Sequence, residues 1–316
     1  MSSLQMDSPL EFRPLFFDRV WGGRKLESVF GKPLPPDRPI GESWEIVDRE
    51  DAQSVVTGGP LEGKTLSDLW RNHRAEIFGA TEGGDRFPLL IKILDASEVL
   101  SVQVHPPASI AASLKGEPKT EMWHLVDTTP DASIYAGLKA GATRADFSNA
   151  LADGSVEKLL HKIPVKTGDT IFIPSGRVHA IGAGCVIVEV QQNSDTTYRV
   201  FDWNRVGLDG KPRDLHISES LQCIDFDDYE PALQQSRTGV LVDDPLFRVE
   251  LLKAGDCSVP AGDWAIFFVK SGSVACGNGT YRKGTFFLVP ATLGDRDLKS
   301  AGTEEAEVLR ITIPKS

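Results

Sequence analysis

The sequence predicts a mainly β chain, two barrel- or sandwich-like modules with a few flanking helices. Three observations predict it. Short strand-like runs bounded by Gly, Pro, Asp or Ser recur along the chain, helical spacing is confined to two segments, and one turn-and-strand rhythm occurs twice. With 316 residues the chain can hold a large core and more than one module.

In chain order, the strand-like runs are Trp44 to Val47, Leu89 to Leu94, Leu100 to Val104, Met122 to Val126, Ser133 to Ala136, Thr170 to Ile173, Val186 to Gln191 and Trp264 to Val269. Leu66 to His73 follows Thr65, a good N-cap, and Phe147 to Leu160 places apolar residues at helical spacing. Gly284 to Pro290 repeats the Gly, five residues, Pro rhythm of Gly168 to Pro174, but no His follows it. A break in the strand pattern at Tyr229 to Val242 divides the chain into residues 1–240, which would carry the site, and residues 241–316, a second barrel-like module expected to bind no metal. The other reading of the rhythm is a single elongated sandwich.

Composition narrows the function. Hydrophobic residues make up 41% and charged residues 25%, with no apolar run long enough to span a bilayer, so no membrane role is expected. Met1 to Glu11 lacks a basic segment followed by an apolar one, which makes the cytoplasm the expected compartment. Cys185, Cys223, Cys257 and Cys276 are widely spaced and read as reduced, buried thiols. A formal charge of −11 argues against nucleic acid as a partner, yet a few local cations suffice for a small phosphorylated substrate.

The chemistry concentrates in three places. Gly168-Asp169 enters a strand, Pro174 and Gly176 end it, and His179 follows as a candidate imidazole ligand. In Ser101-Val102-Gln103-Val104-His105, period two puts Ser101, Gln103 and His105 on one face. By the same arithmetic Lys119 and Glu121 point together. Two imidazoles, a carboxylate and an amide oxygen form a set suited to Zn2+, with Mn2+ or Co2+ as substitutes. Singly, His105 could cap a strand end and Glu121 could be an edge charge. Lys92, inside an apolar run, either snorkels to a rim or points into a polar pocket. Arg199 belongs either to that pocket or to a surface network with Asp195, Asp202 and Arg205. His73, His161 and His216 carry no ligand-like spacing.

Pro174-x-Gly-x-x-His179 resembles the second metal motif of the cupin superfamily, which implies jelly-roll barrels for both modules. Five runs in order, Leu89 to Ala96, Leu100 to Pro106, Lys119 to Trp123, Ile173 to Ala180 and Glu189 to Arg199, with Trp21-Gly22-Gly23 and Gly41-Glu42-Ser43-Trp44 upstream, resemble the short bacterial type of type I mannose-6-phosphate isomerases. The resemblance implies a zinc-dependent aldose-ketose isomerase of mannose 6-phosphate and fructose 6-phosphate acting through an enediol. It implies Gln103, His105, Glu121 and His179 as ligands of one zinc per chain, Arg199 in the active site, and Lys92, Lys119, Ser101 and Glu189 lining the pocket. Glu189, Lys119, a histidine and a metal-bound water stay open as the base. His124 stands where many members carry an aromatic residue, a departure expected to bear on substrate preference. The alternatives are an isomerase of free mannose or another phosphosugar, a cupin dioxygenase and a sugar-binding cupin; dioxygenases usually carry His-x-His where this chain has Gln103-x-His105.

Overall fold

The structure, a computed structural model, describes residues 6–234 and 238–314. Gln235, in the predicted boundary segment, and Met1 to Gln5, in the stretch read for a signal, lie outside the described residues. The chain is mainly β, as predicted, and is built on three antiparallel sheets. The central one runs in the order Thr170–Ile173, Glu121–Thr128, Cys185–Gln192, Leu89–Ala96, Ile40–Ile46 and Leu15–Gly23. A five-stranded sheet, Leu160–Pro164, Ser133–Leu138, His179–Ile181, Val102–Val104 and Tyr198–Phe201, packs on one face of it. The third, in the order Leu10–Glu11, Phe286–Val289, Ala265–Ser271, Glu307–Thr312, Arg248–Lys253 and Gly239–Asp243, shares a core with the other face.

Because both faces of the central sheet are covered, its strands are apolar on both sides rather than alternating with solvent. Ile91, Ile93, Val188 and Val190 enter the core shared with the third sheet. Leu94, Leu125 and Ile187 pack with Ile134, Ala136 and Ile181 of the five-stranded sheet. Lys92 and Glu189 interrupt these runs, and they do so as cross-strand partners.

The predicted strands all form, with ends moved by a few residues, and Thr65 caps the Leu66–Asn72 helix by accepting from the Asp68 amide. The expected Phe147 to Leu160 helix is shorter and earlier. A capping box between Thr143 and Asp146 starts it at Arg144, and Gly154 at φ 78° ends it after Asp153. A short 3₁₀ turn follows, and Leu160 already belongs to a strand. The N-terminal strand Leu10–Glu11 pairs with Phe286–Val289, so the third sheet draws on both ends of the chain. All four cysteines are free and buried.

His124 alternates with Met122 and Val126, so it faces the core shared with the third sheet, away from Glu121 and Trp123. Its Nδ1 lies 2.8 Å from Thr170 Oγ1, and its Nε2 has no hydrogen-bond partner. The residue is thus a junction residue, and the departure expected to bear on substrate preference falls in the packing between two sheets. Burial first, and then the charge of Lys270, depress its pKa from 6.5 to about 3. Between those values the unfolded chain binds a proton that the folded chain refuses, so stability falls as pH drops below 6.5. Urea melts at pH 7 and pH 5 should show a loss larger by about 2 kcal/mol in the native chain than in His124→Gln. Equal losses would mean that His124 is protonated without cost.

Candidate metal centre and substrate pocket

Three strands bring the ligand candidates together. Val102–Val104 buries its valines and turns Gln103 inward, His105 follows directly, and His179 opens a strand that pairs with Gln103. Glu121 opens its own strand opposite Ile173. The ligand atoms of His105, Glu121 and His179 all lie within 4.8 Å of one another, and all three residues are buried. Each imidazole Nε2 is 3.5 Å from a different oxygen of Glu121. The Gln103 amide ends 3.2 Å from His179 Nε2, where rotation about its last bond can present the oxygen.

Backbone carbonyls orient both rings. His105 Nδ1 donates to the Thr196 carbonyl at 2.8 Å and His179 Nδ1 to that of Arg177 at 2.9 Å. These bonds fix the tautomers so that each Nε2 carries its lone pair into the cluster, the arrangement metal-bound histidines use. His105 Nε2 is buried without a hydrogen-bond partner, a deficit that a cation would remove. Burial, then the Lys119 charge, depress the His105 pKa to about 3, and burial depresses that of His179, so both rings are neutral near pH 7. The donor set and its protonation state fit a divalent metal.

A wall of alternating charge rises beside the cluster. Lys119 Nζ stands 2.9 Å from Glu121 Oε2 and 3.9 Å from Glu189 Oε1, and Lys92 Nζ stands 3.4 Å from the same Glu189 oxygen. Burial works against the charge on Lys119, yet Glu121 and then Glu189 raise its pKa above the ordinary lysine value. Burial would raise Glu121, but the Lys119 charge holds it well below the carboxylate range. For Glu189, burial and then the Glu121 charge prevail over both lysines and push the pKa up. Trp123 Nε1 donates to Glu121 and to Glu189, at 3.0 and 3.1 Å.

These groups border a cavity of about 590 Å³, lined by Lys92, Ser101, Gln103, Lys119, Glu189 and Arg199 among others. Lys92 is therefore in the pocket and not at a rim. Arg199 donates from Nε to Ser101 Oγ at 3.3 Å and from Nη1 to the Asp214 carbonyl at 2.9 Å, while Arg205 and Arg213 take Asp202. Of the histidines expected to be ordinary, His216 also lines the cavity; its backbone and ring bond the Arg199 backbone. Arg19, Glu42 and Asp195 line it as well; Arg19 was not named from sequence, Glu42 only within the Gly41-to-Trp44 motif, and Asp195 only as a surface partner for Arg199. A readable signal existed for Glu42, since Glu42-x-Trp44 repeats the phrase Glu121-x-Trp123.

The profile of the phosphomannose isomerase type I catalytic domain matches residues 10–132. Mannose-6-phosphate isomerase ManA of Bacillus subtilis (strain 168) is 46% identical over 219 residues, 69% of this chain and 68% of that protein. A crystal structure of a mannose 6-phosphate isomerase from Bacillus subtilis superposes with a TM-score of 0.85 at 33% identity, covering 97% of this chain and 100% of the other. A mannose 6-phosphate isomerase bound with zinc and yttrium shares the fold, with a TM-score of 0.71 at 17% identity over 98% of this chain and 100% of the other. With a site of this kind and relatives at this level of identity, the chain belongs to the type I phosphomannose isomerase family.

Proposed function

We propose that this chain interconverts D-mannose 6-phosphate and D-fructose 6-phosphate through an enediol, with one Zn2+ held by Gln103, His105, Glu121 and His179. The observation that supports this best is a buried His-Glu-His cluster of fixed tautomer at the side of a cation-lined cavity. Residues 1–240 carry the site, and residues 241–316 brace it. The zinc, when bound, supplies Lewis-acid stabilisation of negative charge on the sugar oxygens.

The side chains divide the remaining work. Isomerisation needs a base that takes a proton from one carbon and returns it to its neighbour, and cations for the charge that develops meanwhile. Lys119, kept protonated by two carboxylates, is a cation and a proton donor rather than a base. Both imidazole Nε2 atoms are committed to the cluster. Glu189 is the better acceptor: it lines the cavity, its Oε1 lacks a hydrogen-bond partner, and its pKa is raised. Arg199, held by Ser101 and the Asp214 carbonyl, offers electrostatic stabilisation at the mouth.

A coupled assay on mannose 6-phosphate and free mannose, with and without chelator, tests the reading directly. Turnover should need the phosphate and should disappear on chelation; equal rates on free mannose would redirect the substrate assignment. His105→Ala and His179→Ala should each lose most of the bound zinc by elemental analysis, while His73→Ala keeps it. Stoichiometric zinc in both ligand variants would remove the cluster from consideration.

Arg199→Ala should lower kcat about a hundredfold with zinc content unchanged, because its charge matters most when the sugar is anionic. Lys92→Ala should act more on KM. Near-normal turnover in fully zinc-loaded Arg199→Ala would leave this arginine a structural part of the loop that follows it.

A further inference from the structure

Glu42-x-Trp44 and Glu121-x-Trp123 lie on two strands of the central sheet, with the Lys92 and Glu189 strands between them. In each pair, period two turns both side chains to one face, and the indole donates to the carboxylate two residues back, at 2.6 Å for Trp44 and 3.0 Å for Trp123. Register places Trp44, Lys92, Glu189 and Trp123 in one row across four strands. The Lys92–Glu189 pair therefore sits between two carboxylate-indole units. One of them, Glu121 with Trp123, is compensated by Lys119.

The other draws on two cations, the charge of Lys92 and the two-pronged contact of Arg19. Its Nε donates to Glu42 Oε1 at 2.8 Å, its Nη2 to Oε2 at 3.2 Å, and its Nη1 to the Asp18 carbonyl at 3.0 Å. Every guanidinium nitrogen thus has a protein acceptor, which suits a support better than an anion receptor. The backbone is shaped to seat it: a Cβ on Gly41 would lie 2.5 Å from Arg19 Cβ, so only glycine leaves room for the arginine stem. Lys92 Nζ lies over the Trp44 ring, 4.9 Å from its centroid; its short ion pair is with Glu189, while its charge also reaches Glu42.

We infer that Arg19 is a positioning residue for the isomerisation, clamping Glu42 so that this carboxylate holds Trp44 in place and does not draw Lys92 away from Glu189. The inference rests on the reading that Lys92 faces the substrate. Without Arg19, Glu42 is a buried anion lacking its two-pronged partner, and Lys92, whose charge already acts on it, is the cation left to answer it. The ammonium would then leave the row that holds it at the pocket wall.

The test is a double-mutant cycle of Arg19→Gln and Lys92→Met on the zinc-loaded enzyme, with kcat and KM for mannose 6-phosphate, zinc content and melting temperature recorded for each protein. Arg19→Gln should lower kcat/KM about tenfold with full zinc, and should cost less than about twofold once Lys92 is already methionine. Arg19→Lys, which keeps the charge but not the fork, should fall between; it also serves as the variant in the cycle if Arg19→Gln does not fold. Unchanged kinetics in the Arg19 variant, or the same loss in both backgrounds, would overturn the inference alone. Native kinetics in Lys92→Met would overturn the reading of Lys92, and the inference with it.

Discussion

The cost of burying the Glu121 carboxylate organises this molecule. A carboxylate without solvent is tolerated only where cations and donors surround it; Lys119 and the Trp123 indole supply them here, while the Nε2 lone pairs of His105 and His179 face the same carboxylate and leave the cluster short of a cation. Lys119 and Trp123 come from the stretch of Glu121 itself and the imidazoles from or just after two strands of the five-stranded sheet, so the cluster assembles only once the central and five-stranded sheets have packed. The electrostatic demand and the fold thus select the same geometry. Lys119 keeps Glu121 ionised, and burial keeps His105 and His179 neutral; these are the protonation states in which such a trio can hold a cation.

The central sheet makes this burial possible. An antiparallel sheet often leaves one face to water, but here the third sheet covers the face that the five-stranded sheet does not. Polar groups in the middle of its inner strands are buried, and those beside the metal cluster open only to the cavity. Lys92 in an otherwise apolar run illustrates the consequence: its ammonium is held at the cavity wall by Glu189 and the Trp44 ring. The junction has its own polar residue in His124, whose neutral form suits packing against apolar side chains. The two faces of one strand, Glu121–Thr128, therefore serve different ends, a charged site on one side and a dry interface on the other.

Legibility in the sequence followed the range of the interactions. Strands whose runs are punctuated by Gly and Pro, and the period-two faces of Gln103, His105, Lys119 and Glu121, are local properties, and they were readable. The early stop at Gly154 was readable in principle, but apolar spacing alone carried the helix past it to Leu160. His216 was missed because its link to Arg199 closes a loop of intervening residues, which spacing does not encode. His124 was tied to substrate preference because it stands where many family members carry an aromatic residue; alternation from Glu121 already places it on the opposite face. Arg19 left no signal at all, since its meaning depends on a carboxylate on the next strand.

The repeated Glu-x-Trp phrase shows how a local pattern can carry a non-local design. Two residues apart on a strand, a carboxylate and an indole form a rigid unit, because the indole has a single donor and the nearest acceptor is its own strand neighbour. Such a unit presents an anion and an aromatic face together, and a lysine on the adjacent strand can use both. Two units flanking a Lys–Glu pair give a row in which every charge has an opposite or aromatic neighbour on the pocket wall. A row of that kind resists rearrangement, since moving one charge leaves another unpaired in a place where water does not compensate. Reactions that develop charge on a small substrate need groups already fixed before the charge appears, and this wall meets that need through the sheet's own register rather than through loops.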